Sequence, residues 1–231
     1  MREIVLDTET TGLEPAEGHR LVEIGCVEIV NRFASGRTFH AYLDPERDMP
    51  DEAFRVHKLS AAFLAGKPRF AEIAEEFLAF IGDAPLVIHN AAFDTKFLNA
   101  ELARLGRPPL APERIVDSLH MARRRHPGAR NDLDSLCDRY GIDRRHRTAH
   151  GALIDAGILA DVYAELTGGR QADLGLSHAN VSAARPDGVP APPRALRRLA
   201  VSAEDDAAHR AFIAGMKERP IWLDYLDGGK A

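Results

Sequence analysis

Ile4-Val5-Leu6-Asp7-Thr8-Glu9-Thr10-Thr11-Gly12 decides how this chain is read. The first three residues are apolar and strand-favouring, which predicts a short buried strand ending at Asp7. Glu9 follows two residues on, and at the two-residue period of a strand both carboxylates project from one face. A carboxylate at the end of a buried strand is costly unless something compensates it. Thr10, Thr11 and Gly12 are small and polar, and leave room for a ligand close to the backbone. From spacing alone the pair reads equally as a cation-holding face or as two solvent-facing acids at a strand exit.

Working outward, Leu21 to Val30 reads as a second strand and Arg37 to Leu43 as a third, an antiparallel meander with the first. Phe70, Ile73, Ala74, Phe77, Leu78 and Ile81 then fall on one helical face. Pro85-Leu86-Val87-Ile88 reads as a buried strand, Phe93 to Leu105 as a helix stopped at Gly106, and Ile115-Val116 as a last strand. Leu133 to Tyr140 reads as a short helix ended by Gly141. Ala152 to Leu166 is a longer one stopped by Gly168-Gly169. The order predicts an α/β fold: a mixed five-stranded sheet flanked by helices, with its site where strand ends meet helix starts.

The 231 residues are 45% hydrophobic and 28% charged, the balance of a soluble globular protein, and carry a net charge of −5. That excludes a uniformly basic nucleic-acid coat, though not a local basic patch. Cys26 and Cys137 are too few for a disulfide framework and fit a reducing cytoplasm. No apolar run approaches the roughly 18 residues of a membrane helix, and Met1-Arg2-Glu3-Ile4 lacks the pattern of a secretion signal. Pro186, Pro190, Pro192 and Pro193 fall within eight residues and read as an extended linker. The domain expectation is a core over residues 1–169, a linker over 170–194 and a tail over 195–231. That tail has helical character around Ala208 to Met216 and an apolar Ile221-Trp222-Leu223 near its end.

Two further acids sit at helix starts. Asp94 ends the run His89-Asn90-Ala91-Ala92-Phe93-Asp94, where favourable charge at a helix N-terminus would by itself explain it. His150 and Asp155 are five residues apart. On one ideal helix they would point about 140° apart, so they converge only if His150 lies in the preceding loop. Were Asp7, Glu9, Asp94 and Asp155 to meet, each like-charged pair at ~4 Å would cost ~4 kcal/mol at an effective dielectric near 20. Divalent cations with oxygen preference, Mg²⁺ or Mn²⁺, would offset that; zinc suits the set less, with one histidine and no cysteine.

These three motifs, Asp7 to Gly12, His89 to Asp94, and His150-Gly151-Ala152-Leu153-Ile154-Asp155, resemble those of the DnaQ-like 3′→5′ exonucleases of the DEDDh type. The likeness is greatest to the proofreading subunits of bacterial replicative polymerases and covers residues 1 to about 169. Val22-Glu23-Ile24-Gly25, Glu52 to His57 and Ala160 to Gly169 share it. The resemblance implies a ribonuclease H-like sheet with an extended C-terminal tail. It also implies two-metal hydrolysis of mispaired DNA 3′ ends, releasing 5′-mononucleotides. On that pattern Asp7 bridges two cations, Glu9 and Asp155 complete one site, and Asp94 supports the second through water. His150 is the general base. Asp7, Glu9, Thr10, Glu52, His57 and Asp155 contact the terminal nucleotide. The implied partners are the DNA 3′ end, a polymerase alpha subunit, a small theta-like subunit, and a sliding clamp through Gln171 to Leu176.

Residues 122 to 147 hold eight arginines against four aspartates, either a phosphate-contacting surface or solvated helix faces. Phe54 and Phe93 could each stack a base or sit in the core. Two other functions stay open at this stage. One is an RNA 3′→5′ exoribonuclease with the same site. The other is a non-catalytic polymerase scaffold, against which stands the completeness of all three motifs. No phosphate-binding loop or nucleophile elbow is present.

Overall fold

The computed structural model describes residues 1–144, 150–168 and 201–216. The chain divides into two compact units, Met1–Leu174 and Gly175–Ala231. The first contains a five-stranded sheet in the order β3-β2-β1-β4-β5. Here β1 is Arg2–Thr10, β2 Leu21–Val30, β3 Phe33–Tyr42, β4 Leu86–Ile88 and β5 Ile115–Asp117. The β1–β2 and β2–β3 pairs are antiparallel; β1–β4 and β4–β5 are parallel. The C-terminal ends of the three parallel strands therefore share one edge of the sheet.

Two layers cover the sheet. Ile4, Leu6, Ile24 and Cys26 face Phe77 of α3 (Phe70–Ile81) and Phe97 of α4 (Ala91–Arg104). Val5, Val27, Ile29 and Val87 face Ala156, Leu159 and Tyr163 of α7 (Ala152–Leu166). Alternation along β1 thus sends Ile4, Leu6 and Thr8 to one layer and Val5, Asp7 and Glu9 to the other. Helices α1 (Asp51–His57), α2 (Ala61–Leu64), α5 (Ser118–Arg125) and α6 (Leu133–Tyr140) complete the unit.

Several elements differ from the sequence expectation. β1 continues through Asp7 to Thr10, because β2 pairs with it residue for residue as far as Glu9. β3 starts at Phe33, not Arg37, since Asn31 and Arg32 both take positive φ (52° and 73°) and turn the chain in two residues. Such a turn ordinarily advertises itself by glycine, and this one does not. α1, α2 and α5 were not foreseen: α1 and α2, at seven and four residues, are too short for apolar periodicity to register, and α5 ends in three consecutive arginines that mask its short apolar face.

In the second unit, α8 spans Ala203–Ala214, with the Ser202 hydroxyl accepting from the Asp205 N–H at 3.1 Å. That cap sets its start five residues before the expected one. The linker, Gln171 to Leu176 and Ile221-Trp222-Leu223 lie outside the described residues. Cys26 and Cys137 are buried and not joined in a disulfide. Among the described residues no helix is long and apolar enough to cross a membrane.

Candidate active site

The site starts at a glycine. Gly25 of β2 lies opposite Asp7 of β1. A Cβ on Gly25 would sit 2.2 Å from the backbone of Ala152 and Leu153. Only a residue without a side chain lets the first turn of α7 rest directly on the sheet there. That contact brings Asp155, in the first turn of α7, down beside the end of β1. Gly151 is the N-cap and His150 precedes it, in the loop. His150 Nδ1 and Asp155 Oδ2 are 3.2 Å apart, so the two converge in the one way their spacing permits.

Ligand atoms of Glu9, His150 and Asp155 all lie within 4.8 Å of one another. Asp155 is 3% exposed and His150 47% exposed at the side chain. The positive end of α7 favours an acid in its first turn, but burying Asp155 beside Glu9 remains costly without a counter-charge. The donors are two carboxylates and an imidazole, with both thiols buried elsewhere in the sheet and in α6. This set fits a hard divalent cation.

Asp7 shares the Glu9 face of β1 but lies outside that group of three. Asp94 also lies outside it. It reaches the edge from the other layer, on the first turn of α4, and accepts a 2.6 Å hydrogen bond from the Thr8 hydroxyl. Burial raises its pKa to about 7, against the Thr8 bond, which lowers it; the charge of Asp117 adds to the rise. A carboxyl whose folded pKa exceeds its unfolded one favours the fold while protonated. Metal-free protein is therefore expected to lose stability as pH rises from about 4 to about 7. In thermal melts with chelator, Asp94→Asn should flatten that decline; an unchanged slope would refute the assignment.

A cleft of about 540 Å³ opens beside Glu9, lined among others by Thr10, Gly12, Glu52, Val56, His57 and Phe93. Its size suits one small ligand. His57, on the last turn of α1, is 3% exposed. Its Nδ1 accepts from the Leu59 N–H at 3.0 Å, so the ring proton sits on Nε2. Nε2 is buried without a hydrogen bond of normal geometry, although the Thr10 backbone is near it. Burial lowers the ring's pKa and keeps it neutral. Thr10 donates its hydroxyl to the Gly12 carbonyl at 2.6 Å and so shapes the loop after β1. Glu52 is exposed on the first turn of α1.

Phe93 lines the cleft and packs on Phe97, with ring centroids 5.2 Å apart. Phe54 is not among the residues lining this cleft. Leu13 and Val56, unmarked in the sequence reading, also line it, 75% and 49% exposed. Exposed apolar side chains at a cleft are visible only once the chain is folded. The arginine-rich stretch is partly spent on local structure. Arg125 donates to the Leu166 carbonyl, Arg139 to that of Arg130, Arg130 pairs with Asp132, and Arg144 with Asp134 and Asp138. Arg123 and Arg124 are exposed on the last turn of α5, and Arg145 and Arg147 lie outside the described residues.

Comparison with known proteins gives a consistent picture. A family model described as Exonuclease matches residues 4–163. A curated relative from Rickettsia felis, named DNA polymerase III subunit epsilon, is 55% identical over 174 residues, covering 74% of this chain and 76% of its own. The protein of the same name from Escherichia coli K12 is 52% identical over 176 residues, covering 73% and 72%. Among solved structures, Exonuclease X in complex with 5′ overhanging duplex DNA superposes with a TM-score of 0.58 at 23% identity, over 71% of this chain and 90% of that one. The nuclease domain of 3′hExo, a DEDDh family member bound to rAMP, gives 0.63 at 17%, over 72% and 91%. These two likenesses establish the fold.

Proposed function

The chain belongs to the exonuclease family, and on that premise we propose that it is the 3′→5′ proofreading exonuclease of a bacterial replicative polymerase, the epsilon subunit of DNA polymerase III. Its relatives at 48–55% identity carry that name. The observation that carries the reading is the convergence of Glu9, His150 and Asp155 within 4.8 Å, with Glu9 also lining the cleft. A reacting group and a bound nucleotide can thus share one wall.

In this reading Asp7, Glu9 and Asp155, with Asp94 in support, would hold two divalent cations, Mg²⁺ or Mn²⁺. When bound, they supply Lewis-acid stabilisation of the phosphodiester and a more acidic attacking water. The protein side chains do the rest. Asp155 orients the His150 imidazole through Nδ1. The half-exposed ring removes the proton from the attacking water. The P–O3′ bond breaks, the upstream 3′ oxygen leaves with a proton from solvent, and the terminal residue departs as a 5′-mononucleotide. His57 and the Thr10 loop form the wall and floor against which the terminal nucleotide rests, and Glu52 accepts from its sugar hydroxyl.

The domain organisation we propose is an exonuclease core over 1–169, a linker over 170–194 with a clamp-binding Gln171 to Leu176, and a tail over 195–231 for the polymerase alpha subunit. A small theta-like subunit is a further partner and the cytoplasm the compartment. Support for these comes from the names of the relatives and from the sequence pattern.

The test is degradation of a 3′-mismatched DNA primer by the purified chain. We expect activity with Mn²⁺ or Mg²⁺, none with chelator, mononucleotide products, and a clear preference for DNA over the matched RNA oligomer. Degradation that persists in chelator, or that favours RNA, would overturn the reading.

A further inference from the structure

Glu23 lies in a segment that shares the resemblance, yet neither the resemblance nor the hydrolytic reading gives it a role. It lies in the middle of a run where every residue from Leu21 to Ile29 is buried, and is itself 3% exposed. In the β1–β2 ladder it stands opposite Glu9. Directly opposed residues of an antiparallel pair point to the same face, with Cβ atoms about 5 Å apart. A second buried carboxylate beside Glu9 opposes folding electrostatically, so its presence needs a reason.

Two contacts give one. His40 of β3 meets the carboxylate at 2.7 Å through Nε2, and the Tyr42 ring, 4.7 Å away and edge-on, steadies His40. On the other side the carboxylate lies under Gly151. A Cβ built there would be 3.9 Å from both Glu23 oxygens, ordinary van der Waals contact. Gly151 is the N-cap of α7 and provides no side-chain cap. The Glu23 charge therefore faces the positive end of that helix, where a negative group is favourable. Among the described residues Glu23 is not part of the group formed by Glu9, His150 and Asp155. It is placed to support that group.

We propose that Glu23, oriented by His40, is a positioning residue. It sets the height of Gly151 above β2, and so fixes His150 and Asp155 on either side of that glycine relative to Glu9. The role rests on the hydrolytic reading for its effect on turnover, but its effect on cation affinity stands apart from turnover.

The test uses the full chain with Glu23→Gln, which keeps size and the ability to bond His40 but removes the charge, and His40→Gln as a second variant. Mn²⁺ binding is read without DNA from the electron paramagnetic resonance signal of free Mn²⁺. Turnover is read on a single-stranded DNA oligomer. Loss of a residue that orients metal ligands typically costs ~10–100-fold in affinity or activity. We expect Glu23→Gln to weaken Mn²⁺ binding ~10-fold and lower kcat ~10-fold, with KM within about twofold and the melting midpoint nearly unchanged. His40→Gln should move the same two quantities by a smaller factor. Mn²⁺ affinity and kcat both within about twofold of wild type in Glu23→Gln would overturn the proposal. So would a raised KM at unchanged Mn²⁺ affinity, which would make Glu23 a substrate contact. Should Glu23→Gln fail to fold, His40→Gln decides: no loss of Mn²⁺ affinity there overturns it. A wild-type chain that binds Mn²⁺ yet leaves DNA intact would sink the hydrolytic reading, while the Mn²⁺ comparison would still judge the positioning role.

Discussion

Asp155→Asn is expected to lower DNA hydrolysis by at least ~10³-fold while leaving the fold intact or firmer. The two effects share one cause. Asp155 is buried, and its ligand oxygen lies within 4.8 Å of those of Glu9 and His150. Without a cation, its repulsion from Glu9 is on the order of a few kcal/mol at an effective dielectric near 20. Asparagine keeps the volume and relieves that repulsion, so the metal-free melting midpoint should hold or rise. With a cation the same charge is what binds, and several kcal/mol of stabilisation at the reacting phosphate go with it. At ~1.4 kcal/mol per factor of ten that amounts to about three decades. Asparagine also cannot stabilise a protonated His150 as a carboxylate can, which adds to the loss. The measurement is a pair: melting with chelator, and single-turnover digestion with Mn²⁺. Activity within tenfold of wild type would remove Asp155 from the site. A large drop in metal-free stability would show that its role is structural.

The mixed five-stranded sheet and the helices with a clear apolar face were legible because periodic segments carry their own signal. Phe70 to Ile81, Leu133 to Tyr140 and Ala152 to Leu166 appear as helices over those very spans. The paired acids at Asp7 and Glu9 were legible too, since strand alternation places them without reference to anything distant. Asp94 shows where that kind of reading stops. Its position at a helix start was visible, but not that it comes from the opposite layer and is held by Thr8, the residue between the two acids of β1. Such a relation belongs to the packing of two layers, not to any stretch of sequence. The cleft was invisible for a similar reason. It forms between the loop after β1 and the seven-residue α1, and neither segment has a period to read. Glu23 was quoted only as part of a resemblance, because a lone acid in an apolar strand ordinarily reads as its solvent face.

Gly25→Ala should act on the site from a distance that no motif reveals. The added methyl would lie 2.2 Å from backbone atoms of Ala152 and Leu153. Backbone cannot rotate aside as a side-chain tip can, so the start of α7 must lift from β2. Overpacking of this kind costs about 1–3 kcal/mol, a fall in melting midpoint of roughly 2–10 °C for a chain of this size. The larger effect falls on hydrolysis. Asp155 and His150 ride on the displaced segment, while Glu9 stays on β1. A misplacement of about 1 Å can cost on the order of 10²-fold, and we expect kcat/KM to drop by about that factor with weaker Mn²⁺ binding. Gly157→Ala is the internal control. It lies in the same helix, a Cβ there meets nothing within 4 Å, and alanine is the better helix former by about 1 kcal/mol. That variant should keep its activity and melt slightly higher. Opposite outcomes in the two glycines would tie function to the seating of α7 on the sheet; equal activity in both would separate the helix start from the chemistry.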